Sequence, residues 1–216
     1  KGMGLTGILG GIASSTAVTL SLTQRSRHED ALSRPFALAI FIAWTIMFAR
    51  LFVIVLVLNV KLAAMLWRPM LVPIAVGLAY ALFLFILHRS EEKAEMRVTN
   101  PFELWPAITF GVIFTLILFI AKAAQIYLGE SGIYLTSFLS GLADVDAITL
   151  SLTQLSDGKN GIQPATAAKA IVFATAANTF LKGVLVLGIG SAPLRKIVLP
   201  GFLLLVCGAF LAVFLT

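Results

Sequence analysis

Two carboxylates, Asp144 and Asp146, lie inside an apolar stretch that is long enough to cross a bilayer. A charged side chain at the bilayer centre costs about 2.5–3.5 kcal/mol on insertion scales, and such residues normally pair or mark an ion pathway. On a helix Asp146 shares a stripe with Thr149 and Thr153, which follow it three and seven positions later. Because oxygen ligands suit a hard cation such as Mg²⁺ or Na⁺, or a proton, we predict an ion or proton site here, with the two carboxylates as metal ligands.

The same motif occurs a second time near the start of the chain. Residues 10–24 align with residues 140–154 at a shift of 130 positions, and nine residues are identical. The earlier copy has Ser14 and Thr16 where the later copy has its carboxylates. We predict that hydroxyl groups of the earlier copy line a polar seam together with the charged copy. The residues predicted for this part of the seam are Ser14, Ser15, Thr16 and Thr19.

Three basic residues also lie within predicted spans: Arg50, Lys122 and Lys182. One interpretation is that they pair with the carboxylates and hold helices together, since buried charges are normally paired. The other is that they belong to a polar path near the membrane midplane, and the two can coexist. The Ser and Thr residues are open to the same choice, because small hydroxyl residues also favour close helix packing in membranes.

Composition places the chain among integral membrane proteins. Hydrophobic residues make up 59% and charged residues 12% of its 216 residues, and the mean hydropathy is +1.00. A soluble domain carries about a quarter charged residues. The net charge of +6 comes from residues scattered over short loops, so it favours lipid contacts and topology over nucleic acid. A single cysteine, Cys207, excludes a disulfide framework and a thiolate metal site.

A span needs about 20 apolar residues, so the chain predicts an all-α protein with about seven transmembrane helices in one polytopic domain, 1–216. The predicted spans are residues 3–23, 35–58, 69–87, 101–128, 133–155, 165–189 and 197–216.

The repeat extends beyond the motif. A shift of 132 matches Arg50 with Lys182, and a shift of 131 matches Pro69 with Pro200. We therefore predict two repeats, 1–88 and 101–216, separated by a charged loop at 88–100. The first repeat would lack its first helix, so we expect an N-terminal part of the parent protein to be missing.

Counting spans predicts the orientation of the repeats. Four spans separate equivalent positions, and an even number gives two parallel repeats about an axis along the membrane normal. The loops after the first, third and fifth spans carry more Lys and Arg than the other side, which favours them as cytoplasmic.

Several stretches together resemble a known family. They are Ala-Ser-Ser-Thr-Ala-Val-Thr-Leu-Ser-Leu at 13–22, Met-Phe-Ala-Arg at 47–50, Asn-Pro-Phe-Glu-Leu at 100–104, Gly-Leu-Ala-Asp-Val-Asp-Ala-Ile-Thr-Leu-Ser at 141–151 and Asn-Thr-Phe-Leu-Lys at 178–182. The chain resembles the membrane domain of unknown function, family 4010, of MgtC/SapB-type bacterial and archaeal proteins. The resemblance implies a multi-pass protein of the prokaryotic inner membrane, commonly preceded by an MgtC-like membrane domain. It also implies an association with magnesium, although MgtC-like proteins are described as regulators as well.

Enzyme constellations are missing from the sequence: it has no Gly-rich phosphate loop, no His-Glu-x-x-His and no Ser-His-Asp set. We therefore expect a transport or channel-like protein for a hard cation or a proton, not an enzyme, with no cofactor apart from such an ion. The alternative is a non-transporting regulatory or accessory subunit in which the buried charges are structural. The expected partners are the lipid bilayer and further copies of the chain or another membrane complex, and not nucleic acid.

Overall fold

The structure is a computed structural model, and it describes residues 2–88, 112, 132–156 and 162–213. Every regular element in these ranges is helical, which confirms the all-α prediction for the described part of the chain. Apart from Val112, the predicted fourth span, with Lys122, lies outside the described residues, as does nearly all of the charged loop.

Short links join the helices on either side of residues 89–131, which lie outside the described residues except for Val112. The helices are α1 (Gly2–Arg25), α2 (Ser33–Leu58), α3 (Val60–His88), α4 (Ile133–Ala143), α5 (Val145–Leu155), α6 (Pro164–Ile189) and α7 (Ala192–Val213), with a 3₁₀ turn at Asp30–Leu32. Among the described residues, three helical stretches are long and apolar enough to cross a membrane: Asp30–Leu58, Val60–Leu87 and Pro164–Ile189. The chain therefore has the character of a membrane protein, while the count of seven spans stays a prediction.

Two predicted connectors turn out to be helical. α3 begins at Val60, directly after Asn59, so the predicted connector at 59–68 belongs to the helix and Pro69 lies inside it. The Asn59 side chain accepts the Leu62 N–H at 3.0 Å and so begins α3. α7 likewise begins before its predicted start at residue 197, and it contains Pro200. Membrane helices tolerate proline in their interior when neighbouring groups satisfy the freed carbonyl.

The described residues cluster into two compact units. The first unit takes its described residues from Lys1–Val53, Trp67–Met96 and Thr179–Leu215, and the second from Ile54–Leu66 and Arg97–Asn178.

Aromatic rings fill the core of the first unit around Trp44 of α2, which is 1% exposed. The ring of Trp44 lies 5.2 Å from that of Phe41 and 6.3 Å from that of Phe202 on α7, measured between centroids. Tyr80 of α3 packs against Phe41 at 4.6 Å, and its hydroxyl donates to Ile197 O at 2.5 Å. These contacts stabilise the packing of α2, α3 and α7.

Contacts at helix ends contradict the predicted sides of two loops. In the first unit Ser191 N donates to Ser26 Oγ at 2.9 Å, and Arg27 Nε donates to Ile189 O at 2.5 Å. The end of α1 and the end of α6 therefore lie side by side. Five predicted spans separate these two points, and five single crossings would place them on opposite faces of the membrane.

The second unit repeats this disagreement. Asn59 Nδ2 donates to Ser156 Oγ at 3.2 Å, although three predicted spans lie between these residues. Counting seven single crossings places these paired helix ends on opposite sides, whereas the contacts bring them together. The number of crossings and the parallel arrangement of the repeats therefore stay predictions.

Candidate functional site at two helix interruptions

The charged motif is not one continuous helix. α4 ends at Ala143 and α5 begins at Val145, and Asp144 between them has an extended backbone with φ −146° and ψ 101°. Its Oδ1 accepts the N–H groups of Asp146 at 2.9 Å and of Ala147 at 3.1 Å. Asp144 is therefore the N-cap of α5, a position that favours Asp and Asn.

The interruption changes the partners of the last carbonyls of α4. In a continuous helix the two N–H groups that bond Asp144 would instead pair with Leu142 O and Ala143 O. These carbonyls thus lose their helical donors, and they form the negative end of the α4 dipole. The geometry places a carboxylate and a set of carbonyl oxygens at one break in the chain.

Asn178 of α6 completes the interruption in the second unit. Its Nδ2 donates at 2.9 Å to Gly141 O, the carbonyl that Val145 N would bond in a continuous helix. The Asn178 side chain is 3% exposed, and its Oδ1 has no hydrogen-bond partner among the described residues. α6 comes this close because residue 141 is glycine: a Cβ there would lie 2.6 Å from Ala174 Cα.

The uncharged copy of the motif is interrupted at the matching position. Ser14, 130 positions before Asp144, is the non-helical residue of α1, with φ −161° and ψ 106°. Its Oγ accepts the N–H of Ala17 at 3.2 Å, as Asp144 accepts that of Ala147. Arg50 of α2 donates to Ile12 O, in the last turn before the break.

Lys182 brings a buried ammonium group to the first unit. The side chain has no exposed surface, and among its contacts Nζ donates to Ser15 Oγ at 2.7 Å and approaches Met47 Sδ at 2.8 Å. Lys182 thus fixes the residue that follows the interruption of α1. The predicted seam residue Ser15 and the predicted cation Lys182 do lie together.

Several predicted hydroxyl groups bond to their own helices. Thr19 Oγ1 donates to Ser15 O and Thr153 Oγ1 to Thr149 O, each at 2.7 Å. Thr19 Oγ1 also accepts the Trp44 Nε1 proton at 2.8 Å. Thr149 is fully buried, and its Oγ1 has no partner in the described part of the chain.

The remaining predicted seam residues are half-buried. Both Thr16 and Asp146 fall in this class, as does Asp144. The described residues include no group of three or more His, Cys, Asp or Glu side chains that could hold a metal ion. A cation at the Asp144 interruption would therefore need backbone and amide oxygens besides carboxylates.

Sequence reasoning missed Asn178 and Met47 as members of the two sites. Asn178 carried a signal, because an amide stands in the middle of an apolar helix one turn before Lys182. Met47 carried none, since a methionine in such a helix is ordinary core.

Comparison with known proteins gives a family and one relative of wide coverage. The family model described as "Domain of unknown function (DUF4010)" matches residues 1–190. A protein of Aquifex aeolicus, itself named "Uncharacterized protein", is 38% identical over 201 residues, which cover 90% of this chain and 86% of the relative. No solved structure matches the chain.

Proposed function

The chain belongs to the DUF4010 family, and we propose that it is a multi-pass protein of the prokaryotic inner membrane that moves a hard cation or a proton across the bilayer. The observation that carries this proposal is the interruption of two helices at matching positions, Ser14 and Asp144. Irregular backbone at membrane depth is tolerated only where protein buries it or water reaches it. Discontinuous helices of this kind form the substrate and ion sites of many secondary transporters.

We further propose that the two motif copies belong to an internal repeat. Two contacts support this repeat. One joins the end of α1, the motif helix of the first copy, to the link after α6 in the second copy. The other joins the end of α5, the motif helix of the second copy, to the link after α2 in the first copy. Ser26 contacts Ser191, and Ser156 contacts Asn59, with shifts of 130 and 132 relating the partners. Contacts that match in this way are what an internal repeat predicts.

The chemistry follows from the ends of the helices at Asp144. The carboxylate satisfies the N-terminal N–H groups of α5, while the carbonyl end of α4 offers oxygen atoms to a positive charge. A cation or proton could exchange at the carboxylate without a change in the helices, because the cap needs only Oδ1. We assign Asp144 as the main anionic group and Asp146 as its neighbour in the same site.

An accessory or regulatory subunit without transport is the second candidate. It is favoured by the way that the buried cations bind backbone and side-chain groups of α1, Arg50 at Ile12 and Lys182 at Ser15. Such contacts hold helices together as well as they would line a path. The expected relationship to MgtC/SapB proteins, and with it the association with magnesium, stays a prediction.

Flux into proteoliposomes separates the two candidates. We expect the wild-type chain to conduct protons, Na⁺ or Mg²⁺. The flux through the double variant Asp144→Asn, Asp146→Asn should be lower than the wild-type flux by a factor of at least about 10. Asp144→Asn keeps a good N-cap and removes only the charge, whereas Asp144→Ala removes both, so comparing them separates charge from helix geometry.

Asp30→Asn, at an exposed position of the 3₁₀ turn, is the matched control and should conduct as the wild type does. Unchanged flux in the double variant would remove the carboxylates from the pathway. An absence of flux for all three ions would favour the accessory subunit.

A further inference from the structure

We propose that the interruption at Asp144 binds one dehydrated monovalent cation, of the size of Na⁺, through Asp144 Oδ2, Asn178 Oδ1 and the last carbonyls of α4. This inference deepens the proposed function and rests on it for the location of the site. It names the ligand class, and it adds Asn178 as a ligand.

The buried amide oxygen of Asn178 is the first support. Its Nδ2 is held by Gly141 O, so the planar amide places Oδ1 at the same break in the chain. A buried polar atom left without a partner costs about 1–3 kcal/mol, and native proteins rarely leave one without a water or an ion. A cation beside the carbonyl end of α4 would satisfy this oxygen.

The carboxylate of Asp144 is the second support. Oδ1 accepts two backbone N–H groups, and the described contacts assign no donor to Oδ2. The side chain is half-buried, so a small ion can reach the second oxygen. Leu142 O and Ala143 O, whose helical donors are diverted to Oδ1, add neutral oxygens with the favourable sign of the helix dipole.

The first unit provides an internal comparison. There the motif has Ser14 in place of the carboxylate, and the guanidinium of Arg50 donates to Ile12 O before the break. In the second unit the neutral amide of Asn178 holds the corresponding turn, and none of the described contacts of Asp144 or Asn178 comes from a basic side chain. One interruption therefore contains a cation of the protein itself, while the other has the oxygens and the negative charge to take one from solution.

Charge and hydration favour a monovalent ion over Mg²⁺. The proposed ligands include one carboxylate, that of Asp144, while the neighbouring Asp146 has an interaction of its own. One positive charge neutralises the Asp144 carboxylate, and a neutral site is far less costly inside a bilayer than a charged one. Mg²⁺ demands an octahedral shell and usually keeps several waters.

Thermal unfolding of the purified full chain in detergent tests the inference apart from transport. The chain is compared in NaCl, MgCl₂ and choline chloride at equal ionic strength. Na⁺ at ten times its dissociation constant should raise the unfolding midpoint by about 3–6 °C above the midpoint in choline chloride, because it binds the folded state by mass action. MgCl₂ should give no such rise.

Two variants locate the effect. Asp144→Asn keeps the cap, so it should unfold near the wild-type midpoint in choline but need at least about 10-fold more Na⁺ for the same rise. Asn178→Ala should weaken the Na⁺ response as well, and Asp30→Asn should keep it. Equal midpoints in NaCl and choline for the wild type would overturn the inference, as would a full Na⁺ response in Asp144→Asn.

A response to MgCl₂ that exceeds the response to NaCl and disappears in Asp144→Asn would also overturn it, in favour of a divalent site. The test is independent of flux. A Na⁺ response without flux keeps the site and rejects transport, whereas flux without a Na⁺ response rejects this site alone.

Discussion

Lys182 brings a charged group into the buried interior of the first unit. Its side chain is fully buried, and its ammonium group meets a hydroxyl at Ser15 and a thioether at Met47. Besides making these and further contacts, the buried side chain fills space between α1, α2 and α6, so its volume as well as its charge contributes to stability. Volume and charge can therefore be separated by substitution.

Lys182→Ala should lower the free energy of unfolding by about 2–5 kcal/mol, because it leaves a cavity and an unsatisfied Ser15 hydroxyl. Lys182→Met keeps most of the volume and removes the charge, so it should remain more stable than Lys182→Ala by at least about 1 kcal/mol. Thermal or denaturant unfolding in detergent measures the difference. Lys169→Ala, an exposed position on the same helix, is the control and should stay within about 0.5 kcal/mol of the wild type.

Equal stabilities for the two Lys182 variants would show that charge and not packing dominates at this position. A Lys182→Ala variant as stable as the wild type would contradict the buried placement itself.

At the scale of helices, two glycine positions show what close approach requires. Gly141 of α4 faces Ala174 of α6, and Gly11 of α1 faces Ala43 of α2, where a Cβ would lie 2.6 Å and 2.8 Å from the alanine Cα atoms. At Gly188, near the end of α6, a Cβ would meet no neighbouring atom within 4 Å. Substitutions at Gly141 and Gly188 thus differ in packing while the chemical change is the same.

Gly141→Ala should destabilise the protein by about 1–3 kcal/mol, since α4 and α6 must separate to admit the methyl group. Gly188→Ala should be neutral or stabilising by up to about 1 kcal/mol, because alanine favours the helix and meets no atom. Unfolding midpoints of both variants under one condition measure the contrast. Equal effects would show that the helices do not cross at Gly141.

The helix interruptions show where sequence reasoning stopped. The alignment paired Ser14 with Asp144, and these are the two interrupted positions, but it predicted no break at either of them. Whether the helix breaks depends on whether its N–H groups bond to helical carbonyls or to the capping side chain. Asn178, 37 residues away from Gly141, donates to the carbonyl that the break leaves without its helical donor. A local sequence pattern does not indicate a hydrogen-bond partner that lies on another helix.

The class of protein and most helix ends were accessible from the sequence, because hydrophobicity and loop charge act locally. The starts of α3 and α7 were not, because both helices begin before their predicted spans and enclose Pro69 and Pro200. The path of the chain was the least accessible. Counting spans assumes that each apolar stretch crosses the membrane once. If one stretch does not, the predicted membrane side of every loop after it is reversed.

At the scale of the whole molecule, two contacts define which chain ends share a membrane face. Ser26 lies at Ser191, and Asn59 lies at Ser156. α2 begins at Ser33, whose hydroxyl lies 3.4 Å from that of Ser191, and ends just before Asn59. Its 26 residues extend about 39 Å, more than the hydrocarbon core of about 30 Å, so we expect its ends to face opposite sides.

Cysteine labelling should therefore show His28 and Ala192 on one face, and Lys61 and Gln154 on the other. All four positions are exposed, and each is changed to cysteine alone in a Cys207→Ser background. A membrane-impermeant maleimide applied to right-side-out and inside-out vesicles reports the side of each. Seven single crossings would instead put His28 opposite Ala192, and that result would restore the parallel repeats.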